Sequence, residues 1–79
     1  MRLTPTKVRN WHARIERARK TIESVEAEVK AHRLQAKGGD LSALTTTQQH
    51  VRDASVCSLV AENDLARLVE REDRKAAAR

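Results

Sequence analysis

Apolar side chains recur through the first half of the chain at alternating spacings of three and four residues. Residues at these spacings fall on one side of an α-helix, and a continuous row of them is typical of a helix that packs against another helix. The pattern therefore predicts one long amphipathic helix with a partner helix along it. The row consists of Val8, Trp11, Ile15, Ala18, Ile22, Val25, Val29, His32 and Ala36.

The limits of this helix follow from the residues at its two ends. Thr4 is a good N-cap, and Pro5 suits the first helical position, where its missing N–H would have no partner in any case. Gly38 and Gly39 end the helix, because glycine adopts backbone conformations that reverse the chain. We predict a first helix over about residues 5–37.

A second row with similar spacing runs from Leu44 to Leu68. Three consecutive threonines at residues 45–47 are candidate N-caps, and Thr46 with Gln49 has the spacing of a capping box. The sequence thus predicts a single domain over residues 1–79, with a helix over 5–37, a turn over 38–46, a helix over about 47–75 and a frayed tail over 76–79.

The connection between the two helices favours an antiparallel hairpin, in which facing residues have numbers that sum to about 82. Segment 54–61 is apolar on nearly every side, which is typical of a helix that is enclosed on more than one side. A two-helix hairpin leaves that surface in water, and a small chain needs further burial for stability. The expected fold class is all-α: an antiparallel two-helix hairpin with coiled-coil-like packing that dimerises into a four-helix bundle. The β-branched residues at one core position leave an extended parallel dimer as the structural alternative.

The side chains expected to contact a partner chain or a second copy come from both helices. Burial of one such side chain stabilises by about 1.5–3 kcal/mol, which is large for so small a core. The predicted interface consists of Val8, Trp11, Ile15, Ile22, Val25, Val29, Val56, Leu59, Val60, Leu65 and Leu68.

The composition supports helix packing as the source of stability. The chain has one Trp, no Phe, no Tyr and one Cys among its 79 residues. Aromatic bulk therefore cannot fill a core, and the single Cys57 fits a reducing compartment. Residues 1–20 carry charges throughout and lack the apolar run of a signal peptide. We expect a soluble, cytoplasmic protein without a membrane partner.

The net charge of +5 is distributed unevenly along the chain. Residues 1–20 hold seven cations and one acid, residues 67–79 hold five cations and three acids, and residues 38–66 hold one cation and four acids. A hairpin gathers the two cationic segments at its open end, where they attract phosphate backbones. A small basic nucleic-acid-binding protein or regulator is therefore the alternative function. Its candidate contacts are Lys7, Arg9, Arg14, Arg17, Arg19 and Lys20.

No residue pattern in the chain points to catalysis. A two-helix rod offers little room for a substrate pocket. His32 and His50 are expected close together near the turn, but a structural zinc site takes four ligands and no spacing here matches one. We predict no catalytic residue, no metal site, no cofactor and no small-molecule substrate. The expected function is that of a non-enzymatic helical interaction or assembly protein, which self-associates or docks as a small subunit of a larger complex.

Overall fold

The computed structural model describes residues 2–78, which form two helices and no strand. Helix α1 spans Pro5–Gln35 and helix α2 spans Gly39–Ala77. They pack against each other as a hairpin 62 Å long and 18 Å by 14 Å across. The prediction of an all-α helical hairpin is confirmed. Arg79, the last residue of the predicted tail, lies outside the described residues, and residues 76 and 77 belong to α2.

The first helix begins as the sequence predicts. Thr4 has an extended backbone, and its Oγ1 accepts a hydrogen bond from the backbone N–H of Lys7 at 3.2 Å. Pro5 follows as the first helical residue. An N-cap of this kind stabilises a helix by about 1 kcal/mol, so this end of α1 is fixed by its own sequence.

The connection between the helices is shorter than the predicted turn over residues 38–46. α1 ends at Gln35 and α2 already begins at Gly39, so residues 36–38 reverse the chain. The threonines lie inside α2: the Thr45 hydroxyl donates a hydrogen bond to the Leu41 carbonyl oxygen at 2.7 Å, one helical turn back. The predicted start of the second helix near residue 47 is wrong, because α2 begins at a glycine N-cap, Gly38, with no side-chain cap.

The two glycines of the connection have different roles, and replacing each of them with alanine should have opposite effects on stability. Gly38 has φ of +62° and ψ of −133°, a combination unfavourable for residues with a Cβ, whereas Gly39 is helical with open space around it. We expect Gly38→Ala to destabilise the hairpin by about 1–3 kcal/mol. Gly39→Ala should stabilise it by about 0.4–1 kcal/mol, because alanine restricts the unfolded chain. Urea unfolding of the two variants measures this difference, and equal effects would contradict the assignment of the turn to Gly38.

The contact between the helices follows a repeating 4–3 spacing on both, and every residue of this interhelical seam is at least partly buried. On α1 the seam consists of Val8, His12, Ile15, Arg19, Ile22, Glu26, Val29 and Arg33, and Ala36 continues it just past the end of the helix. On α2 it consists of Leu44, Gln48, Val51, Ser55, Ser58, Glu62, Leu65, Val69 and Glu72.

Helix α1 is rotated relative to the row that the sequence predicts. Five of the nine residues of the predicted row, including Val8, Ile15 and Ile22, lie in the seam. The other four are exposed: Trp11, Ala18, Val25 and His32 lie on one flank, and the polar residue that follows each of them takes its place in the seam. α2 therefore covers only one side of the apolar row of α1.

The core of the hairpin is correspondingly thin. Among the described residues, Val8 is the one apolar residue that is buried, with no exposed surface, and Glu72 is the one buried charged residue. Both lie near the open end, where Arg9 and Asp73, their immediate neighbours in sequence, pair across the helices. Every other apolar side chain in residues 2–78 keeps some contact with solvent.

Candidate interaction surface

The hairpin has two broad faces on opposite sides of the seam. Each face is a pair of strips in which residues seven apart follow one another along a helix. The charged face consists of Arg9, Glu16, Glu23 and Lys30 on α1 with Arg52, Leu59, Ala66 and Asp73 on α2. The apolar face consists of Trp11, Ala18, Val25 and His32 on α1 with Ala54, Ala61 and Leu68 on α2.

Two surface depressions near the open end show this division. One, on the side of the apolar face, is lined by Trp11, Arg14, Ile15 and Leu65. The other, on the side of the charged face, is lined by Arg9, His12, Ala66, Val69 and Glu70. The tryptophan and the Arg9 guanidinium therefore lie on opposite sides of the molecule, although they are only two positions apart in sequence.

Ion pairs between the helices are concentrated on the charged face and the adjacent seam. Arg9 binds Asp73 near the open end, Arg19 binds Glu62 in the middle, and Arg52 lies 3.7 Å from Glu26 nearer the turn. The residue numbers of Arg9 and Asp73 sum to 82, which matches the predicted alignment of the hairpin. Surface ion pairs contribute modestly to stability, and these three favour the observed alignment and rotation of the helices.

The pair of Arg19 and Glu62 is the most sheltered of the three, with exposed side-chain fractions of 18% and 13%. Arg19 Nε donates to Glu62 Oε2, and its Nη1 donates to Glu23 Oε1 at 2.7 Å. The hydrogen bond from Arg19 lowers the pKa of Glu62 below its ordinary value of 4.5. The bonds to Glu62 and Glu23 raise the pKa of Arg19. Both groups therefore stay ionised at neutral pH.

The lowered pKa of Glu62 implies an acid-sensitive contribution to stability. A carboxyl whose folded pKa lies below its unfolded pKa stabilises the fold above the unfolded value, and this contribution disappears as pH falls through the folded pKa. Between pH 7 and a pH well below 4.5, wild type should therefore lose more stability than Glu62→Gln. Urea midpoints at the two pH values measure this, and parallel losses in the two proteins would contradict it.

Among the residues of the apolar face named above, His32 is the one ionisable side chain, and the α2 strip continues at the open end to Lys75. Trp11 is 37% exposed and Val25 is 41% exposed, and Ala61 and Leu68 are partly buried beside them. The half-buried Ile15, Ile22 and Leu65 of the seam adjoin these residues. The result is a continuous apolar surface from the open end into the middle of the hairpin.

The residues of the predicted interface lie in three different parts of the structure. The seam contains Val8, Ile15, Ile22, Val29 and Leu65. The apolar face contains Trp11, Val25 and Leu68. Val56 and Val60 are exposed on the outer side of α2, and together with Leu59, which adjoins them on the charged face, they form an outer ridge.

The six candidate nucleic-acid contacts do not form one cationic strip. Arg9 and Arg19 bind carboxylates on α2, and Lys20 Nζ lies 3.3 Å from Glu16 Oε1. Lys7 is partly buried near the N-cap of α1. Within residues 2–78, the side chains of Arg14 and Arg17 are exposed and make no ion pair.

A group of potential metal ligands lies across the seam where the sequence predicts none. The ligand atoms of His12, Glu16 and Glu62 all lie within 4.8 Å of one another. His12 and Glu16 are one helical turn apart and visible in the sequence, but Glu62 joins them only through the alignment of α2. The predicted histidine pair is not part of this group: His32 Nδ1 donates to the Glu28 carbonyl oxygen at 2.9 Å.

Comparison of this chain with protein-family models, curated proteins and solved structures finds no match. Neither helix, over the described residues, contains an apolar stretch able to span a bilayer.

Proposed function

We propose that the protein is a non-enzymatic helical assembly protein that binds a second copy of itself through the apolar face and forms a four-helix bundle. The observation that carries this proposal is the rotation of α1, which leaves Trp11 and Val25 at the edge of the contact with α2, 37% and 41% exposed. The apolar row of α1 has the spacing of a helix–helix contact, and within one chain α2 covers only one side of it.

The energetics of burial support a partner on this face. A hairpin with one fully buried apolar side chain has little hydrophobic stabilisation of its own. Each apolar side chain that a partner encloses adds about 1.5–3 kcal/mol. The whole broad side of the hairpin measures 62 Å by 18 Å, which leaves room for the roughly 800 Å² per partner of a standard protein interface, and the apolar surface occupies the part of it from the open end to the middle.

The charge distribution favours a second copy as that partner. The open end gathers residues 1–20 and 67–79, in which cations predominate, and residues 38–66 towards the turn hold four acids and one cation. Two copies related by a twofold axis through the middle of the apolar face run antiparallel. Each open end then lies over the acidic part of the other copy, and this complementarity selects orientation and partner.

Two other functions are consistent with particular surfaces. Docking into a larger complex would use the outer ridge of Val56, Leu59 and Val60, which an apolar-face dimer leaves uncovered. Nucleic-acid binding would depend on Arg14 and Arg17. The positive charges of Arg9 and Arg19 are already offset by the carboxylates that these two residues bind. The assembly function is preferred because the apolar face belongs to a row with the spacing of a helix–helix contact, one flank of which α2 leaves exposed.

Light scattering on a size-exclusion column tests the proposal directly. We expect twice the chain mass of 8.9 kDa at micromolar concentration. Because Trp11 is the chain's one tryptophan and there is no tyrosine, its emission should shift to shorter wavelength as concentration rises and the indole is buried. A folded monomer with unchanged emission over the same range would overturn the proposal. Retention on duplex DNA that decreases steeply with salt would support the nucleic-acid function instead.

A further inference from the structure

We propose that His12, Glu16 and Glu62 form a zinc-binding site that joins α1 to α2 on the charged face. The three side chains are neither fully buried nor freely exposed, and their ligand atoms lie within 4.8 Å of one another. Two of the ligands stand one turn apart on α1, and the third comes from α2. A bound ion would therefore bridge the two helices near the middle of the charged face.

The carboxylate oxygens are arranged so that each acid offers one of them to the site. Glu16 Oε1 lies 3.3 Å from Lys20 Nζ, whereas Oε2 lies 3.9 Å from His12 Nδ1. Glu62 Oε2 accepts from Arg19 Nε, whereas its Oε1 is only weakly held, at 3.5 Å from Arg19 Nη2. Oε2 of Glu16 and Oε1 of Glu62 are thus the oxygens available to a metal ion, with one nitrogen of His12.

The neighbouring cations remain paired when an ion enters. Arg19 already donates to Glu23 at 2.7 Å, so it keeps a carboxylate partner if the ion draws Glu62 away. Lys20 can stay on the outer oxygen of Glu16. Metal binding would therefore replace the contact between Arg19 and Glu62, and the Arg19 guanidinium would keep Glu23 as its partner.

The donor set selects the kind of ion. One imidazole nitrogen and two carboxylate oxygens suit Zn²⁺, which binds such ligands at about 2.0–2.2 Å and in open sites takes three from the protein and one from water. Mg²⁺ and Ca²⁺ prefer oxygen alone and higher coordination numbers, so the imidazole disfavours them. Tetrahedral bonds of this length place ligand atoms about 3.3 Å apart, a contraction that rotations of the partly exposed His12 and Glu16 side chains can supply.

Calorimetric titration of the purified chain with ZnCl₂ tests the site. Wild type should bind one zinc ion per chain, and its melting temperature should rise with zinc, because the ion bridges the helices. His12→Gln and Glu16→Gln should each weaken zinc binding by at least about tenfold. His50→Gln is the matched control: it removes an exposed imidazole outside the site and should leave binding unchanged.

Several outcomes would overturn the proposal. Equal zinc affinity in wild type and His12→Gln would place the ion elsewhere, as would a loss of binding in His50→Gln. Magnesium binding of equal strength would contradict the role of the imidazole. Glu16→Gln leaves the Arg19–Glu62 pair intact, so unchanged zinc binding in that variant would also count against the site. A molecular mass that doubles only on addition of zinc would indicate an ion shared between copies, not a bridge within one chain.

Discussion

Replacement of Val25 by Asp should convert the proposed dimer into a folded monomer. Val25 lies in the middle of the apolar face and is 41% exposed in the single hairpin, so a carboxylate there stays hydrated in the monomer. In the proposed dimer it would be enclosed without a partner, and an uncompensated buried charge costs roughly 3–5 kcal/mol. Association should therefore weaken by at least about a hundredfold, since each 1.4 kcal/mol is a factor of ten. Light scattering gives the mass, and circular dichroism verifies that the helices remain.

Val56→Asp provides the matched control for this experiment. It makes the same chemical change on the outer ridge, where Val56 is 56% exposed and the proposed dimer makes no contact. Its association should remain close to that of wild type. Dissociation in Val56→Asp with an unaffected Val25→Asp would mean that the outer ridge, and not the apolar face, is the interface.

The helical hairpin is predictable from the sequence because its signals are local. The Thr4–Pro5 start depends on residues adjacent in sequence, and the end of α1 lies within two residues of the predicted position. The start of α2 is not predictable in the same way. Thr46 and Gln49 have capping-box spacing, but the helix continues through them because residues 36–38 have already reversed the chain and α2 begins at Gly39. A favourable cap sequence is unused where the helix has already begun.

The rotation of α1 could not be read from its apolar row, because a row of that width has two possible sides. Trp11 and His12 lie at similar angles on opposite sides of the line that joins Val8 and Ile15 along the helix. Which of the two faces the partner helix depends on the residues that α2 presents. Glu62 supplies a carboxylate to Arg19, and Arg52 approaches Glu26 from the same side. These cross-helix pairs turn the polar positions inward and Trp11 outward. The same dependence on α2 explains why Glu62 could not be assigned to a ligand group from the sequence.

Val8→Ala should lower the free energy of unfolding by about 2 kcal/mol, from lost burial and the cavity that remains. Val8 is fully buried, whereas most apolar residues of the hairpin still contact solvent, so no neighbouring core compensates for the loss. For a chain of 79 residues this corresponds to a decrease of about 10 °C in melting temperature.

The control is the same substitution at an exposed position. Val56→Ala removes the same two methyl groups from the outer ridge, where more than half of the side chain already contacts water. Its effect should stay within about 0.5 kcal/mol, with a small gain from the higher helix propensity of alanine. Urea unfolding of both variants at one protein concentration makes the comparison. Equal destabilisation would mean that Val56 is enclosed in the folded protein in solution, and a partner would then lie on the outer ridge. It would also mean that Val8 is not the main core residue of the hairpin.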